Sequence, residues 1–123
     1  MPEFADPSMG WSAGGMVSTP GDLARWGAAL FGGEVLSDGA LARMSAPTHD
    51  VPEGEWYGMG LFIEGDDVEQ TIGHTGGIAG YLTYMYYLTS EETVVVAMTN
   101  VVPADLRYIA SYPWSVVLGV EFP

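Results

Sequence analysis

The chain contains no cysteine and no lysine, and its only cationic side chains besides two histidines are Arg25, Arg43 and Arg107. Without cysteine there is no disulfide framework, no thiolate nucleophile and no sulfur-ligated metal, so the redox compartment is not legible. Three arginines against sixteen carboxylates give a formal charge of −13, which repels phosphate backbones and anionic lipid surfaces and argues against nucleic-acid partners. No stretch reaches the roughly 18 apolar residues of a membrane-spanning helix. The opening Met1-Pro2-Glu3-Phe4-Ala5-Asp6 lacks the basic and then apolar regions of an export signal, and localisation stays open. With only His49 and His74 and no cysteine, no metal constellation assembles, and no cofactor is expected.

What the chain does have is 48% hydrophobic and 12% aromatic residues over 123 positions, enough for one modest core. We read 1–123 as a single domain or domain fragment. The carboxylates fall mostly at caps and turns, as a solvating surface requires. Adaptation to high salt, or a genome that favours arginine, are alternative sources of the same bias.

Helix signals open the chain. Thr19-Pro20-Gly21-Asp22 offers an N-cap oxygen, a proline at N1 and an acid at N3, and Leu23, Trp26, Leu30 and Phe31 recur on one face before Gly32-Gly33. This predicts a helix over 20–31. A second, shorter helix follows Ser37 as cap, with Leu36 stapling to Leu41 and Pro47 as stop. Strands are expected at 56–64, 68–72, 81–88 and 93–99, the last two joined by Thr89-Ser90-Glu91-Glu92 as an antiparallel hairpin. A closing helix over 104–118 must be kinked or divided by Pro113. Helices before and after strands, without βαβ alternation, predict an α+β class with an antiparallel sheet of three to four strands.

Four segments carry a resemblance. They are Trp11-Ser12-Ala13-Gly14-Gly15-Met16-Val17-Ser18-Thr19-Pro20-Gly21-Asp22-Leu23-Ala24-Arg25-Trp26, Tyr57-Gly58-Met59-Gly60-Leu61, Gly73-His74-Thr75-Gly76-Gly77-Ile78-Ala79-Gly80-Tyr81, and Val94-Val95-Val96-Ala97-Met98-Thr99-Asn100. In this order and spacing, nearly the whole chain resembles the C-terminal third of serine β-lactamase and penicillin-binding-protein-like hydrolases of the class C, esterase and D-aminopeptidase type. His74-Thr75-Gly76 resembles their third active-site motif, with histidine in place of the more common lysine.

The resemblance implies an enzyme that transfers acyl groups from a small amide or ester (a β-lactam, a D-alanyl peptide or an ester) through an activated serine. It implies that His74 polarises or protonates near the substrate, that Thr75 bonds its anionic group, that Gly76 lets the backbone approach, and that the Gly77 N–H donates to the oxyanion. Trp11 and Ser12 would line the cleft rim. The family's Ser-x-x-Lys is absent, since there is no lysine, and no Tyr-x-Asn or Tyr-x-Ser stands in for its second motif. The chain alone is therefore expected to be inactive. Its sheet should have a bare edge, with association into a homo-oligomer or with an N-terminal fragment.

Other readings of the same residues stay open here. His74 can be a packed or capping histidine in a glycine-rich turn. The chain can be a binding or assembly module that kept the fold and lost the chemistry. Gly10-Trp11-Ser12-Ala13-Gly14 matches the Gly-x-Ser-x-Gly elbow of esterases, but Asp6-Pro7-Ser8-Met9 is no strand to feed it. His49 reads as a surface residue. The Tyr81, Tyr84, Tyr86 and Tyr87 cluster reads mainly as cross-strand packing.

Overall fold

The structure, a computed structural model, describes residues 7–50, 56–66, 69–78 and 80–121. The predicted strand 68–72 begins partly outside them, as does the side chain of His49. Two short 3-10 turns over Pro7–Ala13 lead into helix α1, Pro20–Phe31, and helix α2, Asp38–Met44. Among the described residues six strands follow, β1 His49–Asp50, β2 Trp56–Tyr57, β3 Phe62–Gly65, β4 Gln70–Ile78, β5 Tyr81–Leu88 and β6 Thr93–Thr99, and then helix α3, Leu106–Leu118. Every neighbouring pair is antiparallel and the spatial order equals the chain order, so the sheet is a meander. No helix among the described residues is long and apolar enough to cross a membrane.

The α+β class and antiparallel sheet follow the sequence expectation, while the strand count is higher than three to four. Two of the six strands are only two residues long, and the expected 56–64 strand is really a hairpin. Gly58 N–H donates to Leu61 C=O across a turn in which Gly60 takes φ +79°, a region glycine enters without strain. The larger difference is β4. It extends to Ile78, so the glycine-rich motif is itself strand, held by its full-length pairing with β5.

Local signals set the helices. Thr19 Oγ1 accepts from Asp22 N–H at 3.1 Å and donates to the Asp22 carboxylate at 2.9 Å, and Arg25 also pairs with that carboxylate. The Thr19 hydrogen bond first, and Arg25 second, hold Asp22 below its ordinary carboxylate range. Ser37 is the N-cap of α2 but makes no side-chain cap bond, contrary to expectation. Helix α3 is one helix, not two. Asp105 caps it through Tyr108 N–H at 3.1 Å, Pro113 sits inside, and Gly119 ends it at φ +66°.

Alternation along the strands sends residues to two cores. On one face Leu30 and Phe31 of α1 pack with Leu61, Ile63 and Ile72, and Phe31 stacks on Tyr87 at 4.8 Å between centroids. On the other, Tyr84, Tyr86, Val95 and Ala97 pack under Leu106 and Ala110 of α3. This second core holds a polar network. Tyr86 Oη donates to Glu64 Oε1 at 3.0 Å, Arg107 grips both Glu64 oxygens at 3.0 and 3.4 Å, and Trp114 Nε1 donates to Tyr84 Oη at 2.9 Å. Burial first, then the Glu64 charge, pushes the Tyr86 phenol well above its usual range, and burial raises Tyr84.

The tyrosine cluster is thus mostly packing. Tyr84 and Tyr86 serve the α3 face, Tyr87 serves the α1 face, and Tyr81 is exposed.

Gly73 is fixed by close approach. A β-carbon there would lie 2.1 Å from Met85 O and 2.8 Å from Tyr86 Cγ. Gly73→Ala is expected to lower stability by about 3 kcal/mol, as overpacking does, read as a lower urea midpoint at unchanged slope. A midpoint equal to the parent's would refute that contact. Tyr86 carries a pH dependence. Its folded pKa lies above its unfolded value of about 10, so stability is fully kept below that pH and declines as pH rises beyond it. In an alkaline ultraviolet titration Tyr86 should ionise only with loss of fold.

Candidate active site

The register of β4 decides what its motif presents. Thr89 N–H donates to Gln70 C=O, and pairing with β5 then runs unbroken from Thr71↔Leu88 to Ile78↔Tyr81. Backbone polar groups of successive strand residues point to opposite sides. Gln70, Ile72, His74, Gly76 and Ile78 therefore bond towards β5, and Thr71, Gly73, Thr75 and Gly77 face the other way. Strand β3 meets Thr71 and Gly73 through Glu64 and Phe62. Then the turn Gly58–Leu61 reverses the chain, and no strand among the described residues continues beside Thr75 and Gly77. Among the described residues, the N–H groups of Thr75 and Gly77 therefore have no strand partner at this edge.

His74 stands where this bare edge begins. Its Nδ1 is bonded to Thr75 C=O, and its Nε2 lies 3.1 Å from Tyr57 Oη. A carbonyl only accepts, so Nδ1 carries the proton and, in the neutral ring, Nε2 accepts from the Tyr57 hydroxyl. Phe62 lies beside both rings, at centroid distances of 4.8 Å from His74 and 4.9 Å from Tyr57. His74 is half-buried against these rings, with both nitrogens engaged. Gly76 and Gly77 are exposed; a β-carbon at Gly77 would sit 3.2 Å from Leu82 Cδ2.

The segment carrying Trp11 and Ser12 packs on the far end of β4. A β-carbon at Gly10 or Gly14 would lie 3.2 or 3.3 Å from Ile78 Cδ1. Trp11 is 86% exposed and adopts φ 42°, ψ −124°, a strained backbone for a bulky residue, with its carbonyl accepting from Gly15 N–H at 2.8 Å. Ser12 is exposed in a 3-10 turn, well before α1 starts. That is not the strand-to-helix elbow a Gly-x-Ser-x-Gly nucleophile needs, and both His74 nitrogens bond elsewhere.

The structure thus gathers His74, Thr75, Gly76 and Gly77 on one strand with Tyr57, and sets Trp11 and Ser12 in the loop against the strand's other end. Sequence reading missed Tyr57 as a site residue. It lies seventeen positions from His74, and only the β2–β3–β4 pairing makes the two neighbours. No group of three or more His, Cys, Asp or Glu residues able to hold a metal occurs among the described residues.

A model of the β-lactamase family matches residues 1–116. Among solved structures, the octameric penicillin-binding protein homologue from Pyrococcus abyssi is 29% identical with a TM-score of 0.76, the alignment covering 89% of this chain and 26% of that one. A D-stereospecific amidohydrolase from Streptomyces sp. is 28% identical with a TM-score of 0.69, over 78% of this chain and 29% of that one. D-amino acid amidase from Ochrobactrum anthropi SV3, complexed with D-phenylalanine, is 28% identical with a TM-score of 0.64, over 88% and 37%. The chain spans between about a quarter and just over a third of the length of these structures. With a family match along almost all its length and a shared fold around the His74-Thr75-Gly76-Gly77 strand, the chain belongs to the β-lactamase family.

Proposed function

We propose that this chain is the sheet-bearing, C-terminal segment of a serine hydrolase that acts by acyl transfer, and that it is inactive until a polypeptide carrying the Ser-x-x-Lys nucleophile joins it. The observation that carries this reading is the open edge of β4 beside Thr75 and Gly77. A slot with two parallel-facing N–H groups accepts an extended acyl substrate as a strand accepts its neighbour. In this reading the Gly77 N–H stabilises the oxyanion that forms when a serine attacks the carbonyl; one such preorganised donor contributes about 3 kcal/mol.

In this reading Thr75 bonds the polar end of the substrate, the absence of side chains at Gly76 and Gly77 leaves room for it, and Trp11 with Ser12 closes the rim beyond Ile78. Likeness to a D-amino acid amidase and a D-stereospecific amidohydrolase supports amides of D-amino acids over β-lactams and esters as the substrate class.

The missing polypeptide has a seat. An apolar groove of about 510 Å³ runs along β6, lined by Pro20 and Ala24 of α1, Val94 and Val96 of β6, and Tyr112 and Val116 of α3. Since β5 turns its odd residues to β4, pairing sends Val95 and Ala97 towards β5 and leaves the N–H and C=O of Val94, Val96 and Met98 on the outer edge. The Thr93-Val94-Val95-Val96-Ala97-Met98-Thr99 sequence has no charge and no proline to discourage a further strand. We place the N-terminal part of the same hydrolase there. The charge of −13 on this chain disfavours a second copy in that seat, because two such chains repel. An octamer like that of the Pyrococcus abyssi homologue then forms through other surfaces.

Three outcomes test this. The isolated chain should take no label from a fluorescent fluorophosphonate or penicillin; covalent labelling would overturn the incompleteness of the site. Adding an N-terminal polypeptide that bears Ser-x-x-Lys should restore hydrolysis of a D-amino acid amide, and Val96→Pro should block that restoration while leaving the β5–β6 ladder, which does not use the Val96 N–H, intact. Finally, Trp11→Gly should relieve backbone strain and stabilise the chain by about 1 kcal/mol, read in thermal unfolding, while raising KM for aromatic substrates of the complemented enzyme.

A further inference from the structure

We propose that Tyr57 is the positioning residue of this site: its hydroxyl, bonded to His74 Nε2, fixes the orientation of the ring whose Nδ1–H is held by Thr75 C=O. The inference rests on the reading of the β4 edge as a cleft wall, and it adds a residue that none of the recognised motifs assigns to the chemistry.

The geometry constrains both partners. Thr75 C=O fixes the proton on Nδ1, which makes Nε2 the acceptor and leaves Tyr57 Oη, 3.1 Å away, as its donor. Tyr57 is itself anchored through the main chain. Its carbonyl accepts both the Thr48 N–H at 2.9 Å and the Thr48 hydroxyl at 2.8 Å, and its own strand pairs with Phe62. Its ring meets Phe62 edge-on, with planes 75° apart, and meets His74 edge-on at 5.8 Å between centroids. The hydroxyl therefore comes from two backbone-paired strands and not from a loop.

Two consequences follow for the site. A ring bonded at both nitrogens offers no lone pair directly to a substrate carbonyl, so any proton reaching His74 arrives at the nitrogen that Tyr57 covers. When the ring is protonated both nitrogens donate, and the Tyr57 hydroxyl must rotate from donor to acceptor. Tyr57 thus ties the charge on His74 to the orientation of one O–H group at the mouth of the slot.

The test is the tautomer, read from the imidazole nitrogen shifts of the uniformly 15N-labelled chain, with His49→Gln to assign the two histidines. The wild-type chain should show His74 chiefly as Nδ1–H. Tyr57→Phe keeps the ring and its packing but removes the hydroxyl bonded to Nε2, and the His74 Nε2 resonance should shift as that hydrogen bond is lost. A wild-type ring that is mainly Nε2–H, or a His74 Nε2 resonance unchanged in Tyr57→Phe with the amide spectrum still dispersed, would overturn the proposal. If Tyr57→Phe disrupts the fold, the wild-type tautomer alone decides. No hydrolysis is read in this measurement, so its result is separate from that of complementation. In the complemented enzyme, Tyr57→Phe should lower kcat with KM little changed, and an unchanged kcat would remove the positioning role.

Discussion

One close approach governs the geometry of this molecule: the Tyr86 ring and backbone lie against Gly73, where no side chain fits. That contact pins β5 to β4 at Tyr86↔Gly73 and carries the register through the rest of the ladder. Register here is a chemical matter as well as a mechanical one. A slip of one residue turns every side chain to the other face and every N–H to the other edge. Thr75 and Gly77 would then spend their donors inside the sheet, and the slot would present the backbone of His74 and Gly76 instead. Tyr86 is held in turn by Glu64 and Arg107, so a polar network under α3 stabilises the strand alignment on which the slot depends.

Much of the fold was legible in the sequence because its signals are local. The Thr19-Pro20-Gly21-Asp22 box starts α1 where expected, Thr89-Ser90-Glu91-Glu92 joins β5 to β6, and apolar spacing identifies α3 despite Pro113. What was not legible depends on pairing. Glycines at 73, 76 and 77 carry no strand propensity, so β4 is strand only because β5 lies beside it. The split of 56–64 into a hairpin turns on Gly58, where a β-carbon would meet Met44 O at 2.4 Å, a contact made by the end of α2. Of the site, the His74-Thr75-Gly76-Gly77 motif was visible as a motif. Its open edge was not, because openness is a property of where β3 stops.

The chain buries two cores and still leaves apolar surface in view. Tyr108, Ile109, Tyr112 and Val116 are exposed on α3, and β6 lies beside them with valines at its outer edge. Patches of this kind on a small domain mark a surface meant to be covered. The acidic surface elsewhere keeps such a chain in solution, and Arg25 and Arg107 are engaged with Asp22 and Glu64.

The four residues Gly58–Leu61 have an evolutionary consequence. Had the chain run straight on past Phe62, a neighbouring strand would have zipped along Thr75 and Gly77 and left an ordinary flat sheet with nowhere for a ligand to enter. Insertion or deletion in this reversal would lengthen or shorten the bare stretch of β4 without altering His74, Thr75, Gly76 or Gly77. On the reading of this edge as a substrate cleft, editing the hairpin tip changes which molecules enter, a kind of change that mutation supplies readily and that stability tolerates.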